Sequence, residues 1–438
     1  MKSDREFELR YGRGVLPVRV PAGTAVQVIR KPVMPVLHDA SVAVSSALDQ
    51  PVGIASDVAF AAAKTACIAI CDITRPVPNR LFLKPVIERM IACGIPREGI
   101  TVLVATGLHR PNEGQELAEL IGDPWVLENI CIENHYARRD DEHVLLGSTA
   151  TRGTVVKLDR RFVDADVKLV TGLVEPHFMA GYSGGRKIIA PGLAHAETIT
   201  TFHSFRFMGD PATRDCNFEG NPLHEEQLEI VGMLGSVLAI NTVIDEHRNL
   251  SFVNFGEILE SHRLAVDFAR GFCEIPVHDQ FSTVVTCAAG YPLDKTYYQT
   301  VKGMVSAANI LCPGGDLIIA SECSEGLGSV EFAKSQQQLI NLGPDAFLQQ
   351  ISRQSHAEID QWQTQMLVKA QLRGQIQLYS TGLSVKDGLL TAVKRVGSLE
   401  QAIVESLEKH GSEKIALIPE GPYVVPIGDA TSTCALKQ

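Results

Sequence analysis

The chain predicts an α/β fold: two α/β domains with mostly parallel sheets. Three observations carry that expectation. Apolar runs of strand length alternate with segments of helical periodicity from residue 66 onward, the pattern of parallel sheets covered by helices. Runs such as residues 66–71 and 167–174 are almost continuously apolar, as in strands buried on both faces. The length of 438 residues exceeds what one core usually supports. The expected domains are residues 1–272 and 273–438, with the Pro- and Gly-rich stretch 418–426 able to pack back on the first.

Residues 15–20 and 25–29 alternate weakly around Pro21-Ala22-Gly23, which predicts an opening hairpin. Residues 66–71 form an apolar strand. Residues 79–93 carry Leu81, Phe82, Val86, Ile87, Met90 and Ile91 at helical spacing, and Gly94 with Pro96 stops that helix. Residues 100–105 are the next strand, and Asn112 followed by Gln115 predicts a capped helix start. Strands at 130–132, 154–158, 167–174 and 237–243 then alternate with helices at 195–203, 223–234 and 257–271. A second α/β unit opens with strand 283–287 and helix 296–307. Strand 316–320, helices from Phe332 and His356, and strands 376–380 and 414–419 complete it.

Composition narrows the function classes. Hydrophobic residues at 45% and a mean hydropathy of +0.06 supply a globular core. Lys plus Arg 40 against Asp plus Glu 51 gives a net charge of −11, which disfavours nucleic acid or an anionic membrane as partner. The first eight residues are too charged for a signal peptide and no apolar run approaches bilayer length, so a cytoplasmic protein is expected. The 10 cysteines show no CxxC and no zinc-type spacing, and read as small buried hydrophobes.

Three loops follow strands directly. Asp72-Ile73-Thr74-Arg75-Pro76 precedes a helix, where outward amide groups, Thr74, Arg75 and the helix dipole suit a phosphate or carboxylate; Asp72 and Thr74 serve equally as turn and cap residues. His109 lies in the loop after the neighbouring strand. The segment from Glu175 to Lys187 joins His177 to a turn containing Gly181, Gly184 and Gly185 and to the pair Arg186-Lys187. Glycines there allow positive φ and close backbone approach to a ligand, although a tight surface turn with solvated cations has the same composition. The spacing matches neither Walker A nor GxGxxG, so triphosphate hydrolysis and dinucleotide binding lose support. His195 and His203 fit no two-histidine zinc pair. Further on, Gln299 and Lys302 share one helix face, where they suit a carboxylate or simply solvent.

These motifs together resemble the nickel-pincer lactate racemase family, enzymes that invert 2-hydroxy acids. The resemblance rests on Asp72-Ile-Thr-Arg-Pro, Thr106-Gly-Leu-His-Arg-Pro, the Pro176 to Lys187 segment, Pro191-Gly, Thr198-Ile with His203, Gly220-Asn-Pro-Leu-His224, Tyr298-Gln-Thr-Val-Lys302 and Trp362. It implies an isomerase whose cofactor is a nickel complex of pyridinium-3,5-bisthiocarboxylic acid mononucleotide, joined through a thioamide to Lys187. His203 is the implied protein ligand to nickel, and Asp72, Thr74 and Arg75 the implied cofactor-binding loop. His109 and His177 fall on the two acid/base positions. Arg75, Tyr298, Gln299, Lys302 and Trp362 fall on the substrate side.

The implied chemistry removes the hydroxyl proton while hydride leaves C2, giving a planar keto acid that is reduced again on its other face. Two bases are needed because the hydroxyl points to opposite sides in the two enantiomers. The resemblance further implies an active site in the interdomain cleft. Partners that carboxylate and hydrolyse, sulfur-load and nickel-load the mononucleotide are implied too. A lactate-like acid is the expected substrate, with malate, 2-hydroxyglutarate or a sugar acid such as gluconate as alternatives. A non-catalytic ligand-binding regulator is the competing class, and it would have no use for two bases and a metal-facing histidine.

Overall fold

Strands Ala66–Cys71, Ile100–Ala105 and Val167–Leu173 lie at the centre of one six-stranded sheet in a computed structural model that describes residues 4–54 and 60–428. Every residue of Ala66–Cys71 is buried, so its apolar run reflects cover on both faces. The sheet runs in the order Leu250–Glu257, Leu238–Ile244, Val167–Leu173, Ala66–Cys71, Ile100–Ala105, Cys131–Asn134. All neighbours are parallel except the edge strand Leu250–Glu257. Helix Leu83–Ala92 buries Leu83, Val86, Ile87 and Met90, the face its spacing predicts. Each such side chain removed from water contributes about 1.5–3 kcal/mol. The sheet belongs to a unit formed by Val33–His203 and Asn217–Gly271.

The other unit comprises Met1–Pro32, Ser204–Cys216 and Phe272–Gln438. Its sheet is parallel throughout, in the order Lys394–Val396, Gly374–Tyr379, Leu311–Ala320, Phe281–Cys287, Lys414–Ile418, Ala25–Val28. The division therefore departs from the expected contiguous domains 1–272 and 273–438. Ala25–Val28 is not a hairpin partner of the preceding strand but the edge strand beside Lys414–Ile418. The opening hairpin is Arg5–Tyr11 with Gly14–Val20, turning at Gly12 with φ +51°. Leu9, Val18 and Val20 are buried in one cluster with Val285, Ile318 and Leu417, which ties the first residues to this core. Local alternation reports a strand without reporting its partner.

Other differences are local. Helix Gly114–Ile121 starts after Glu113, and Asn112 is not its cap; Asn112 accepts a bond from the Ile73 amide and donates to Glu116. Val425–Gly428 pairs with Glu274–Val277 inside the same unit rather than packing back on the other. The second of the two helices expected after residue 330 begins at Gln361 rather than at His356, and helices Pro344–Ile351 and Leu399–His410 were not anticipated. Cys93 and Cys131 are exposed and Cys312 is disulfide-bonded, exceptions to the reading of cysteines as buried apolar groups. Among the described residues no helix is long and apolar enough to cross a membrane.

Candidate active site

The chain runs from Ala66–Cys71 outward through Ile100–Ala105 to Cys131–Asn134, then returns to place Val167–Leu173 on the other side of Ala66–Cys71. That reversal makes a topological switch point, where the carboxyl ends of parallel strands leave a crevice for ligands. Asp72, Thr106 and the Glu175–Lys187 segment all leave the sheet at these ends. The three sequence motifs thus converge because of strand order.

Asp72 is deeply buried and lies 2.6 Å from Nδ1 of His109. Its other oxygen accepts from the Thr74 amide at 3.2 Å and from the Thr74 hydroxyl. Burial alone would raise this carboxyl, but the bond and charge of His109, with Thr74 and Arg75, hold it below the ordinary aspartate range. A carboxylate facing Nδ1 makes that nitrogen the donor. The lone pair of His109 is then on Nε2, the state of a base. The His109 side chain is 58% exposed, so protons can exchange with solvent. Cys71, next door, is no nucleophile, because burial pushes its thiol up to about 12.

His177 shows the opposite arrangement. It sits in a two-residue strand paired with Gly181–Tyr182, and its Nδ1 accepts from the amides of Met179 at 3.3 Å and Ala180 at 3.1 Å. Backbone amides only donate, so the proton of a neutral His177 is on Nε2. The glycine turn lies directly on the sheet. A Cβ at Gly172 would stand 2.8 Å from Cα of Gly184, and Gly184 itself has φ +79°. Both positions therefore require glycine, one for space and one for backbone conformation. Ser183 closes the turn by donating to the Leu173 carbonyl at 2.7 Å.

Lys187 is largely buried, and lost hydration pulls its amine from 10.5 to about 7, with the charges of Arg75 and Arg186 adding. A substantial neutral fraction at pH 7 makes it a competent amine nucleophile. His203 ends helix Ala196–Phe202, and its Nδ1 is 2.9 Å from the Ile199 carbonyl. Burial drives it down to about 3, opposed by that hydrogen bond and assisted by the Lys187 charge. The imidazole is neutral with Nδ1–H as donor, which leaves a lone pair on Nε2. Lys187 is coupled electrostatically to Cys71, Arg75 and Glu175, and its charge acts on His203. Arg75 Nε is 3.6 Å from Glu175. Among the described residues no three His, Cys, Asp or Glu side chains converge as a metal site.

The sequence reading did not single out two buried clusters in this unit. Arg186 is turned inward and fully buried against Phe218, with His224 stacked on that ring and His262 bonded to the Ser183 carbonyl of the glycine turn. His135, His143 and His195 stack edge to face at 5.2 and 4.9 Å, anchored by the 3.0 Å pair His135–Asp159. Neither leaves a local sequence signal, because the partners are far apart in the chain.

The remaining candidates belong to the other unit. Thr296 caps helix Tyr297–Ala307 by accepting from the Gln299 amide at 3.3 Å, and Gln299 and Lys302 lie on this helix. Trp362 is buried at the start of Gln361–Gln371, which packs against it. The Tyr298 ring meets Phe332 edge-on at 5.2 Å, and Gln363 donates to the Tyr298 carbonyl. Oε1 of Gln299 is buried without a hydrogen bond, an orphaned acceptor of the kind found where a ligand binds.

Two family models match the chain, the lactate racemase N-terminal domain over residues 11–215 and the lactate racemase C-terminal domain over residues 278–425. A lactate racemase of Thermoanaerobacterium thermosaccharolyticum is 30% identical over 388 residues, covering 87% of this chain and 89% of that protein. A lactate racemase of Lactiplantibacillus plantarum is 29% identical over 388 residues, covering 87% and 90%. The structure of the lactate racemase apoprotein from T. thermosaccharolyticum aligns with a TM-score of 0.90 at 26% identity over 96% of this chain and all of that one. A protein from Thermotoga maritima, at TM-score 0.64 and 15% identity over 89% of this chain and 97% of its own, shares the fold.

Proposed function

The chain belongs to the lactate racemase family of isomerases, and from that premise we propose that it inverts C2 of a lactate-like 2-hydroxy acid with His109 and His177 as exchanging bases. The observation that carries this reading is the opposed wiring of the two imidazoles: Asp72 sets His109 with Nε2 as acceptor, and two backbone amides set His177 with Nε2–H as donor. One side chain is ready to take the hydroxyl proton of one enantiomer. The other directs an N–H at the opposite face, where it donates a hydrogen bond to the substrate oxygen and, once charged to imidazolium, returns a proton.

The residues present fit the nickel-pincer nucleotide. Lys187 offers an amine with a large neutral fraction for covalent attachment, His203 a neutral imidazole for nickel, and Arg75, in the loop that Thr74 ties to Asp72, a cation for the mononucleotide phosphate. When bound, that group supplies a hydride acceptor, which avoids forming the carbanion of a very weakly acidic C–H. Gln299 and Lys302 hold the substrate carboxylate through an amide and a charge, fixing which face of C2 is presented. Separate enzymes carboxylate and hydrolyse, sulfur-load and nickel-load the mononucleotide.

His109 accepts the hydroxyl proton at Nε2, and the resulting imidazolium is stabilised by the Asp72 carboxylate. Its exposure lets the proton state reset through solvent after each inversion. His177, enclosed, exchanges a proton with substrate at Nε2, cycling between imidazolium and neutral base with Nδ1 protonated during turnover. A second reading, a larger polar 2-hydroxy acid, is favoured by the orphaned Oε1 of Gln299, which a further substrate hydroxyl would satisfy.

The test is a panel of enantiopure lactate, malate, 2-hydroxyglutarate and gluconate with cofactor-loaded enzyme, read by chiral chromatography. At least one acid is inverted, and His109→Ala or His177→Ala reduces turnover by about 10²–10⁴. No inversion of any acid by enzyme modified at Lys187 contradicts the function. Full turnover in either histidine variant contradicts the assigned roles.

A further inference from the structure

A buried arginine without a carboxylate needs an explanation, because removing a cation from water costs several kcal/mol unless its donors are used. Arg186 is 1% exposed, and no carboxylate lies within ion-pair distance of it among the described residues. Its Nη2 donates to the Ala180 carbonyl at 2.7 Å and to the Tyr182 carbonyl at 3.3 Å. The Phe218 ring stands 4.8 Å from the guanidinium carbon, a cation–π contact. Nη2 therefore reaches the short turn between the two-residue strands Pro176–His177 and Gly181–Tyr182, while Nη1 faces His262 Nε2 at 3.4 Å.

That turn wires His177. The peptide units of Met179 and Ala180 point their N–H groups at His177 Nδ1, and both carbonyls are held from outside. Asn221 donates to the Met179 carbonyl at 2.9 Å, and Arg186 to the Ala180 carbonyl. The Met179 carbonyl shares its peptide unit with the Ala180 N–H, so Asn221 polarises one of the two bonds to Nδ1, while Arg186 pins the following unit and with it the position of Ala180.

From this geometry we propose that Arg186 is a positioning residue for His177, holding the turn so that in the resting protein Nδ1 accepts from the turn's amides and Nε2 carries the proton. The proposal rests on the reading of His177 as one of two exchanging bases and adds what sets its proton state. Arg186 touches neither substrate nor cofactor in this role. A lysine would keep a charge but would lose the planar guanidinium that aims Nη2 at both carbonyls while lying against Phe218.

The experiment labels the full chain with 15N-histidine and records long-range 1H–15N spectra, which distinguish the two ring tautomers. The His177 signals are assigned by their loss in His177→Gln. Wild type shows one His177 tautomer, Nε2–H, whereas Arg186→Lys shows a mixture, with His109 unchanged as internal control. In cofactor-loaded enzyme Arg186→Lys lowers kcat about tenfold or more, with KM within about twofold. Arg186→Met repeats the test without the charge. If it does not fold, Arg186→Lys decides alone.

An unchanged His177 spectrum in folded Arg186→Lys overturns the proposal. So does a spectral change at His109 as large as that at His177, which would mark a general structural role. Full turnover of His177→Gln would instead remove the catalytic reading of His177 and leave the tautomer result standing.

Discussion

Replacing Asp72 by Asn changes one atom, yet the structure predicts a specific failure. The Thr74 amide, 3.2 Å from one Asp72 oxygen, can only donate, so the single oxygen of an asparagine must face Thr74. The NH2 group is then left facing Nδ1 of His109 across a 2.6 Å contact. Two donors cannot meet there, so Nδ1 becomes the acceptor and the proton moves to Nε2. His109 loses the lone pair needed to take the hydroxyl proton.

Loss of a positioned general base costs about 10²–10⁴ in rate. That corresponds to about 3–5 kcal/mol of barrier. The carboxylate contact itself contributes only about 1.5–3 kcal/mol as a charged hydrogen bond, so a larger loss marks the tautomer rather than the bond. The assay is the initial rate of inversion from each enantiomer by loaded Asp72→Asn, with modification at Lys187 checked by peptide mass. The kcat falls in both directions while KM moves little. An Asp72→Asn enzyme within about fivefold of wild-type kcat would refute the tautomer argument, since even the weakest case expects a hundredfold or so.

Three further predictions concern the protein without cofactor. The Lys187 amine titrates at about 7 in the fold and 10.5 in the unfolded chain, so between these values the unfolded state holds more protons and stability rises with pH. Lys187→Met is therefore more stable than wild type at pH 7 and below, by at most about 5 kcal/mol and less where the side chain reaches solvent. The advantage closes as pH approaches 10.5; equal urea midpoints at pH 6 would contradict it. At Asp159, burial raises the carboxyl, but hydrogen bonds from Arg161 and His135 override it and lower it from 3.8 to about 2. Its stabilisation is complete above about pH 4 and lost as pH falls toward 2. Asp159→Asn thus lowers stability at pH 7 by on the order of 2 kcal/mol and flattens the acid limb, and an unflattened limb would count against this. Gly172→Ala places a Cβ 2.8 Å from Gly184 and 3.2 Å from the Gly185 nitrogen, which destabilises by about 1–3 kcal/mol. A thermal midpoint equal to wild type would mean that the turn does not rest on the strand.

The strands near the site were legible because they are buried on both faces. Ala66–Cys71, Ile100–Ala105 and Val167–Leu173 match their apolar runs to within a residue. The loops that carry His109, His177 and Lys187 were legible as neighbours because they leave the strands on either side of Ala66–Cys71 at the same end of the sheet. Ala25–Val28 was read with the wrong neighbour, since pairing with Lys414–Ile418 depends on a contact nearly 400 residues away. Asn112 looked like a cap, but its amide is used instead to tie Ile73 and Glu116. The Asp72–His109 bond and the burial of Arg186 were invisible, because side-chain direction is decided by tertiary packing.

Hydride chemistry with two histidine bases is tested most directly by isotope retention. Loaded enzyme is given one enantiomer of the acid it inverts, in D2O, and the product is read by mass and by proton NMR at C2. The account predicts inversion with the C2 hydrogen retained, because that hydrogen travels as hydride while the histidines handle only the hydroxyl proton. Deuterium at C2 in step with inversion would contradict it, since the hydrogen would then have left as a proton.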